Sequence, residues 1–452
     1  MQTKKDQVKA YQFSTSRLVS AVTAGDTGNG QAPFRRAGTG MTVGIILACV
    51  GTAGALVWGL LHPVVKTTWK TQGAIVVSQT TGTTFIYLGG ELHPVANYAS
   101  ALLVSGANES VQIVSAADLA GVPEGDTIGI PGAPETMPTA GALRTGGWAI
   151  CLDPASPGTT VLDLAPPSHL AAPPAEERIL VTAPGGAQYV VWDGTKYPLP
   201  DKTDLAALGL GNAIPVTASA VWLDALPSGP ALVPDQVPDR GKRGPDVAGR
   251  PAAVGDLFET TVGGVQQYYE LRTDGLAPIS GTELALVAAA PGEHPPVQVS
   301  PADIASTRVS ADKSLLSGLP DIMSGPEYGP GAPALCVRES SQQSSGQAGT
   351  GTLVTESSAR VSAATTSDGA GVIMPTGDGM IIQPPAATGT FAQPPVYLVT
   401  DTGEKYELTG TNTTSTLGYG SATPQVMPPD LVNLLPSGPA LSVTAAQKPV
   451  TS

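Results

Sequence analysis

The chain has 452 residues and a net charge of −14, and it is rich in glycine and proline, with 54 and 43 residues respectively. Its acidic balance argues against nucleic acid or an anionic membrane surface as the partner of the bulk of the chain, because both require basic patches. A hydrophobic content of 41% is too high for a disordered spacer. The glycine and proline content predicts few long helices and many short strands joined by turns.

The first predicted element is a short amphipathic helix from Lys4 to Val22. Its apolar positions fall on one helical face: Val8, Tyr11, Leu18, Val19 and Val22. Such a helix docks on a partner protein or lies on the inner leaflet, and the sequence does not separate these alternatives. Residues 24–40 are predicted to be a flexible linker, so residues 1–39 form a cytoplasmic helix and linker.

Residues 40–61, GMTVGIILACVGTAGALVWGLL, predict one transmembrane helix. This run of 22 residues carries no charge and spans about 33 Å as a helix, enough for the hydrocarbon core of a bilayer. A cleaved signal peptide is the alternative, but its apolar region is usually about 7 to 15 residues long.

Charges on the two sides of this run predict its orientation. Six basic residues and two acidic ones precede it, and this excess of basic residues keeps the N-terminus in the cytoplasm. Without them, the whole-chain totals of 23 basic and 37 acidic residues leave a net charge of −18 for everything from residue 62 onward. The bulk of the chain is therefore predicted to be acidic and extracytoplasmic.

Small residues form a stripe along the predicted transmembrane helix. They are Gly44, Ala48, Gly51, Ala55 and Gly59, whose spacing places them on one face where a second helix can approach closely. The alternative is that glycine and alanine are simply frequent in membrane helices. We take these five residues as the candidate transmembrane packing face.

Cysteine usage agrees with export. Of the three cysteines, Cys49 lies inside the predicted membrane helix as a small packing residue, whereas Cys151 and Cys336 lie outside. A cysteine pair in an oxidising compartment is most simply a disulfide, and no CxxC or His/Cys cluster indicates a metal. We hypothesise that this pair ties two distant segments into one domain.

Four related segments follow the membrane helix, at residues 75–134, 178–241, 254–315 and 395–446. Each begins with a predicted β-hairpin whose second strand carries an aromatic residue: Phe85, Tyr189, Tyr268 or Tyr406. The string LPSGPAL occurs at 226–232 and again at 435–441, which makes a chance match improbable. We interpret the aromatic residues as hairpin core rather than as a ligand platform.

Two further segments, 141–175 and 332–394, contain Cys151 and Cys336. A Gly377-Asp378-Gly379 turn in the second segment predicts another hairpin. If the two cysteines bond, both segments form one central domain. The predicted fold is therefore a single transmembrane helix plus a mainly β (α+β), elongated extracytoplasmic region, with four β-hairpin-containing repeats around a disulfide-closed central domain and a tail at 447–452.

The sequence contains no recognisable catalytic motif. A P-loop requires GxxxxGK[ST], but the one Gly-Lys pair, Gly241-Lys242, is followed by Arg243. HExxH, GxSxG and clustered metal ligands are also missing from the sequence. We therefore assign no catalytic, cofactor-binding or metal-binding residue and predict that the chain is not an enzyme.

Several strings spread over nearly the whole chain match a known family pattern in the same order. They are QVKAYQFSTSRLV, HPVANYASALLV, DLAALGL, WLDALPSGPAL, GDLFETTVGGVQQYYELRTDGLAPIS and the two cysteine strings WAIC and ALCVR. Together with the single anchor they resemble the EccB family, the single-pass core membrane component of actinobacterial type VII (ESX-type) secretion systems. The linker at 24–40 departs from the family by being shorter and less charged.

The resemblance implies a share in an inner-membrane assembly with the FtsK-like ATPase EccC, with EccD and with EccE, and pairing of EccB with itself. It also implies a central domain closed by a Cys151–Cys336 disulfide. We predict a structural subunit that helps to export proteins across the inner membrane, with its bulk in the periplasm and no nucleic-acid partner. The alternatives are a cell-wall-binding membrane protein whose repeats bind peptidoglycan or glycan and, disfavoured because no motif supports it, a membrane-bound ATPase.

Overall fold

The computed structural model describes residues 3–24, 34–61, 67–106, 111–173, 177–329, 331–339, 351–364, 370–386 and 393–450. The chain divides into two compact units, residues 1–68 and 69–452. The first unit contains helices α1 (Lys4–Ala24) and α2 (Phe34–Leu61).

Helix α1 covers the span predicted for the first helix. The prediction of a flexible linker at 24–40 is partly wrong. Helix α2 begins at Phe34 and so includes residues 34–40, because the arginines and alanine that precede the apolar run are good helix formers and extend it towards its N-terminus. Residues 25–33 of the predicted linker lie outside the described residues.

The second unit, which we call the outer unit, begins with a four-stranded sheet. Its elements are β1 (Ile75–Ser78), β2 (Thr84–Leu88), β3 (Glu91–Pro94), α3 (Tyr98–Ser105), β4 (Gln112–Val114) and α4 (Ala116–Leu119). The strand order is β3-β2-β1-β4; β1, β2 and β3 pair antiparallel, and β4 is parallel to β1. This arrangement contains the predicted first hairpin and adds a helix that carries the chain back to the parallel edge.

Strands β5 (Ala149–Leu152) and β6 (Thr160–Asp163) follow and belong to a central sheet. A second sheet comprises β7 (Ile179–Thr182), β8 (Gln188–Trp192), β9 (Thr195–Leu199), α5 (Thr203–Ala207), β10 (Val216–Thr217) and α6 (Ala220–Asp224). A third comprises β11 (Leu257–Val262), β12 (Val265–Arg272), β13 (Gly275–Ile279), α7 (Gly281–Ala289), β14 (Val297–Gln298), α8 (Pro301–Ser306) and α9 (Ser314–Ser317). Both sheets repeat the strand order of the first.

The chain then returns to the central sheet with β15 (Ala334–Arg338), β16 (Thr352–Glu356), α10 (Ser358–Ala363) and β17 (Ala370–Ile373). The order in this sheet is β16-β15-β5-β6-β17. Cys151 on β5 and Cys336 on β15 are direct partners across the two antiparallel strands and form a disulfide with a sequence separation of 185. The predicted disulfide is therefore confirmed, and it joins two strands that are far apart in the sequence.

The fourth sheet is made of β18 (Met380–Gln383), β19 (Tyr397–Val399), β20 (Lys405–Glu407) and β21 (Gln425–Val426), with helices α11 (Thr413–Thr416), α12 (Pro429–Leu434) and α13 (Val443–Ala446). Its order, β20-β19-β18-β21, again matches the first sheet. Its first strand thus lies within residues 332–394, which the sequence assigns to the central domain.

The hairpin predicted around Gly377-Asp378-Gly379 is wrong. Strand β17 before the turn pairs with β6 in the central sheet, whereas β18 after it pairs with β19 and β21. Alternate residues of β18 enter two different cores, with Met380 and Ile382 in one and Ile381 in the other. A strand buried on both faces is a continuous apolar run, and such a run does not indicate which strand it pairs with.

The predicted equivalence of Tyr406 with Phe85, Tyr189 and Tyr268 is also wrong. Those three residues lie on the second strands β2, β8 and β12, but Tyr406 lies on the third strand, β20. The predicted segment 395–446 misses β18, so its first hairpin is formed by the second and third strands of the sheet.

One backbone contact recurs in all four of these sheets. A residue on the third strand donates its backbone N–H to a carbonyl in the segment after the helix that follows the fourth strand. The carbonyl of the same residue accepts an N–H from the residue two positions beyond that first partner. The pairs are Leu92 with Pro123 and Gly125, Lys196 with Pro227 and Gly229, Leu276 with Arg308 and Ser310, and Lys405 with Pro436 and Gly438. The repeated LPSGPAL string supplies two of these contacts.

A ring lies against a glycine at three of the four contacts. The pairs are His93 with Gly125, Tyr197 with Gly229, and Tyr406 with Gly438, and a methyl group on any of these glycines would overlap the facing ring. In the third sheet Ala277 and Ser310 stand at the corresponding positions. The ring and the glycine are therefore replaced together, as steric complementarity requires.

Shared hydrophobic cores connect the sheets in a definite order. The largest core combines central strands with the second and fourth sheets, for example Ile150, Val181 and Ile382. Another joins Leu208 of the second sheet region to Leu286 on α7 of the third. A further core joins Leu103 on α3 of the first sheet region to the fourth. The order of contact is thus third, second, central, fourth, first.

The contact between ring and glycine predicts a specific stability cost. Gly438→Ala is expected to lower the free energy of unfolding by about 1–3 kcal/mol, because the added methyl group overpacks against Tyr406. Chemical denaturation of the full chain in detergent measures this. Gly141→Ala is the matched control, since no atom lies within 4 Å of a methyl group there. An equal cost for both variants would contradict the contact.

The disulfide predicts a second cost. Cys151→Ala/Cys336→Ala is expected to lower the free energy of unfolding by about 2–5 kcal/mol, because the unfolded chain regains the entropy of an open loop with a sequence separation of 185. Denaturation with and without reductant measures it, with Cys49→Ala as the control. Reductant that destabilises the double variant as much as the natural chain would contradict this assignment.

Candidate functional site

The first candidate site is helix α2, which has the length and composition to cross a membrane. Residues Gly38–Trp58 have a mean hydropathy of 2.0. The hydroxyls of Thr42 and Thr52 donate to the carbonyls of Gly38 and Ala48 at 3.0 and 2.8 Å. Both polar side chains are thereby satisfied within the helix, as an apolar environment requires.

The candidate packing face lies along α2. Gly44, Ala48, Gly51, Ala55 and Gly59 span about 80° of the helix circumference. A methyl group built on Gly44 or Gly51 meets no atom within 4 Å, so the described chain leaves this part of the face uncovered. The surroundings of Gly59 lie outside the described residues, and the packing role of the face stays a prediction.

Helix α1 carries its apolar side chains exposed along its length. Val8, Tyr11 and Val22 are among them. Phe13 lies outside the predicted apolar face, and the guanidinium carbon of Arg17 is 5.7 Å from the centre of its ring, a cation–π distance. The charged and apolar residues of α1 are therefore less cleanly separated than the predicted pattern.

The Gly241-Lys242 pair does not have the geometry of a phosphate cradle. The N–H groups of Gly241 and Lys242 donate to the carbonyls of Val254 and Asp239 at 2.8 and 3.1 Å. The Lys242 Nζ lies 2.7 Å from Asp239 Oδ1. Both amides and the ammonium group thus already have partners. Across the described ranges, no group of three His, Cys, Asp or Glu residues is placed to hold a metal ion.

A cleft of about 550 Å³ opens in the outer unit beside the central sheet. Its walls are mainly apolar and include Ile214, Pro215, Tyr328 and Pro333. The Tyr328 hydroxyl donates to the Pro333 carbonyl, and burial raises the pKa of Tyr328 to about 12. This hydroxyl is therefore neutral and already bonded, which makes it a poor group for proton transfer.

The sequence did not reveal a buried charge cluster in the third sheet region. Glu270 is fully buried on β12, and its carboxylate lies between Arg240 and Arg272 at 2.9 and 3.4 Å. Desolvation raises the pKa of Glu270 to about 7, against the lowering effect of the two guanidinium groups. The one available signal is that Glu270 and Arg272 alternate with apolar residues on a strand, which places both on the same face.

Comparison with known proteins places these features in a family. A family model described as "Type VII secretion system ESX-1, transport TM domain B" matches residues 1–449. The ESX-1 secretion system ATPase EccB1 of Mycobacterium tuberculosis (strain ATCC 25618 / H37Rv) is 28% identical over 469 residues, covering 98% of this chain and 94% of the relative. The ESX-3 secretion system ATPase EccB3 of Mycolicibacterium smegmatis is 30% identical over 321 residues, covering 68% of this chain but only 61% of the relative.

Solved structures show the same fold. A chain in the structure of an intact ESX-5 inner membrane complex matches with a TM-score of 0.61 and 23% identity, covering 100% of this chain and 96% of the other. A chain of the EccB3 dimer from the ESX-3 core complex matches with a TM-score of 0.58 and 26% identity, covering 83% and 100%. The family match over residues 1–449 shows that this chain belongs to the EccB family of type VII secretion system membrane proteins.

Proposed function

We propose that this chain is the single-pass structural subunit of a type VII secretion membrane complex that exports proteins across the inner membrane. The observation that carries the proposal is the family match over residues 1–449. The full-length fold likeness to a chain of the intact ESX-5 inner membrane complex supports it. The membrane helix α2 supplies the anchor in this proposal.

The partners are those that the resemblance to the EccB family implies. The chain assembles with EccC, EccD and EccE, and it pairs with a second copy of itself, as the relative solved as an EccB3 dimer does. Its N-terminus lies in the cytoplasm, because the six basic and two acidic residues before the apolar run favour that side. The outer unit is then periplasmic.

The chain does not hydrolyse nucleotides in this proposal, although its curated relatives are named as ATPases. The support is the geometry of Gly241 and Lys242, whose amides bond to other backbone groups. Nucleotide hydrolysis is assigned instead to EccC, the FtsK-like ATPase that the resemblance implies as a partner.

The aromatic residues of the sheets give little support to the alternative of wall binding. Phe85, Tyr189 and Tyr268 pack against three separate hydrophobic cores, and Tyr406 is buried within a fourth. Rings that pack against a core present little face for stacking on sugars.

Isolation of the tagged full chain from membranes in mild detergent tests the proposal. We expect EccC-, EccD- and EccE-type proteins to co-purify with it in one large complex. Recovery of the chain without them, together with sedimentation on isolated cell wall, would contradict the proposal and favour the wall-binding alternative.

Substitutions in α2 test whether the small-residue face contributes to assembly. Gly51→Leu/Ala55→Leu is expected to reduce the recovered complex by about three- to tenfold, because the larger side chains prevent close helix approach. The control is Cys49→Leu/Ala53→Leu, which also introduces two leucines but on the opposite side of the helix. Equal recovery of complex from both variants would contradict a role of this face in assembly and leave the helix as a membrane anchor alone.

A further inference from the structure

The segment between the second and third sheets, residues 233–256, is held against the third sheet by charged side chains. We call this segment the connector. Its backbone contacts with the third sheet include the N–H of Gly255, which donates to the Leu271 carbonyl at 2.7 Å. The side chains of Asp235 and Arg240 reach buried charged groups on the third sheet, and the backbone N–H of Asp235 reaches a buried carboxylate on α7.

Arg240 makes two of these contacts. Its Nη2 lies 2.9 Å from Glu270 Oε1 on β12, and its Nη1 lies 2.5 Å from Glu293 Oε1 in the turn after α7. The guanidinium group thus bridges two carboxylates that belong to different elements.

Asp235 completes the cluster. Its carboxylate accepts from Arg272 Nη2 at 2.9 Å, and its backbone N–H donates to Glu283 Oε1 on α7 at 2.8 Å. The Nε of Arg272 lies 3.4 Å from Glu270 Oε2. The connector therefore closes over Glu270 and Glu283, which are 0% and 2% exposed.

The cluster has more carboxylates than guanidinium groups. Glu270 faces Arg272 on its own strand, Arg240 and Asp235 on the connector, and Glu283 on α7. Arg240 is further shared with Glu293. Four carboxylates thus surround two guanidinium groups, and buried negative charge of this kind is costly without a compensating proton.

We propose that this cluster is a pH-responsive latch that holds the connector against the third sheet more tightly in mildly acidic than in mildly alkaline surroundings. When the connector lifts off, Glu270 and Glu283 become solvated and keep their excess charge at little cost. When the connector docks, a proton taken up by the cluster removes part of that excess.

The sign follows from the two states of Glu270. Burial raises its pKa from 4.5 to about 7 in the docked state, and burial also raises the pKa of Glu283. Between pH 4.5 and about pH 7 the docked state therefore binds more protons than the open state. Docking strengthens as the pH falls through 7. For Glu270 alone, linkage predicts that the open fraction is about tenfold smaller at pH 6 than at pH 8.

Native-state hydrogen exchange of the full chain in detergent, corrected for the intrinsic pH dependence of exchange, tests the latch. The amides of Gly241 and Gly255 report on opening because both bond within or across the connector. Their protection is expected to rise about tenfold from pH 8 to pH 6. In Glu270→Gln, which mimics the group protonated in both states, protection should be independent of pH and should exceed the pH 6 value of the natural chain, because docking no longer requires the uptake of a proton.

Three further variants keep the test decisive. Glu283→Gln should move the transition to lower pH, because it removes a negative charge facing Glu270, and it serves if Glu270→Gln does not fold. Asp246→Asn, in an exposed pair with Arg243, and His294→Gln, next to Glu293, should leave the transition unchanged. The proposal is overturned if the protection of these amides in the natural chain does not depend on pH or falls from pH 8 to pH 6. It is also overturned if His294→Gln abolishes the pH dependence.

Discussion

Helix α3 of the first sheet region packs Ala99 and Leu103 into the same core as Leu398 of the fourth sheet. Polar contacts reinforce this contact between the sheets that come first and last along the chain. The Tyr419 hydroxyl donates to the Pro138 carbonyl at 2.6 Å, and the N–H of Gly129 donates to the Lys448 carbonyl at 3.1 Å. The first sheet thereby joins through the fourth sheet to the central sheet, and its place at the end of the order of contact depends on this junction.

The sequence was sufficient where a single local or pairwise signal decides the outcome. An uncharged apolar run indicates a membrane helix, and two exported cysteines indicate one disulfide. It was insufficient for β18, because the run Met380–Ile382 has the same apolar character whichever sheet it enters. The repeated string was visible, but its contact with Tyr197 and Tyr406 was not, since each ring reaches its glycine only after the chain has folded back in parallel.

The buried charge cluster shows the same limit. Alternation places Glu270 and Arg272 on one face of β12 but does not say which face is buried. Only the docking of the connector supplies Asp235 and Arg240. These buried charged groups form ion pairs with one another and do not point into a cleft. Such an arrangement is more typical of groups that hold segments in place than of catalytic groups. It agrees with a structural subunit of a membrane complex.

The central claim is that the first and fourth sheets form one continuous body through their shared core. Hydrogen exchange at the amides of Gly129 and Val450 tests it most directly, because these groups donate to the Lys448 and Thr127 carbonyls across the junction. We expect both amides to exchange as slowly as those of the central strands β5 and β15. Exchange at the rate of an open chain at either amide would contradict the junction and the place of the first sheet in the order of contact.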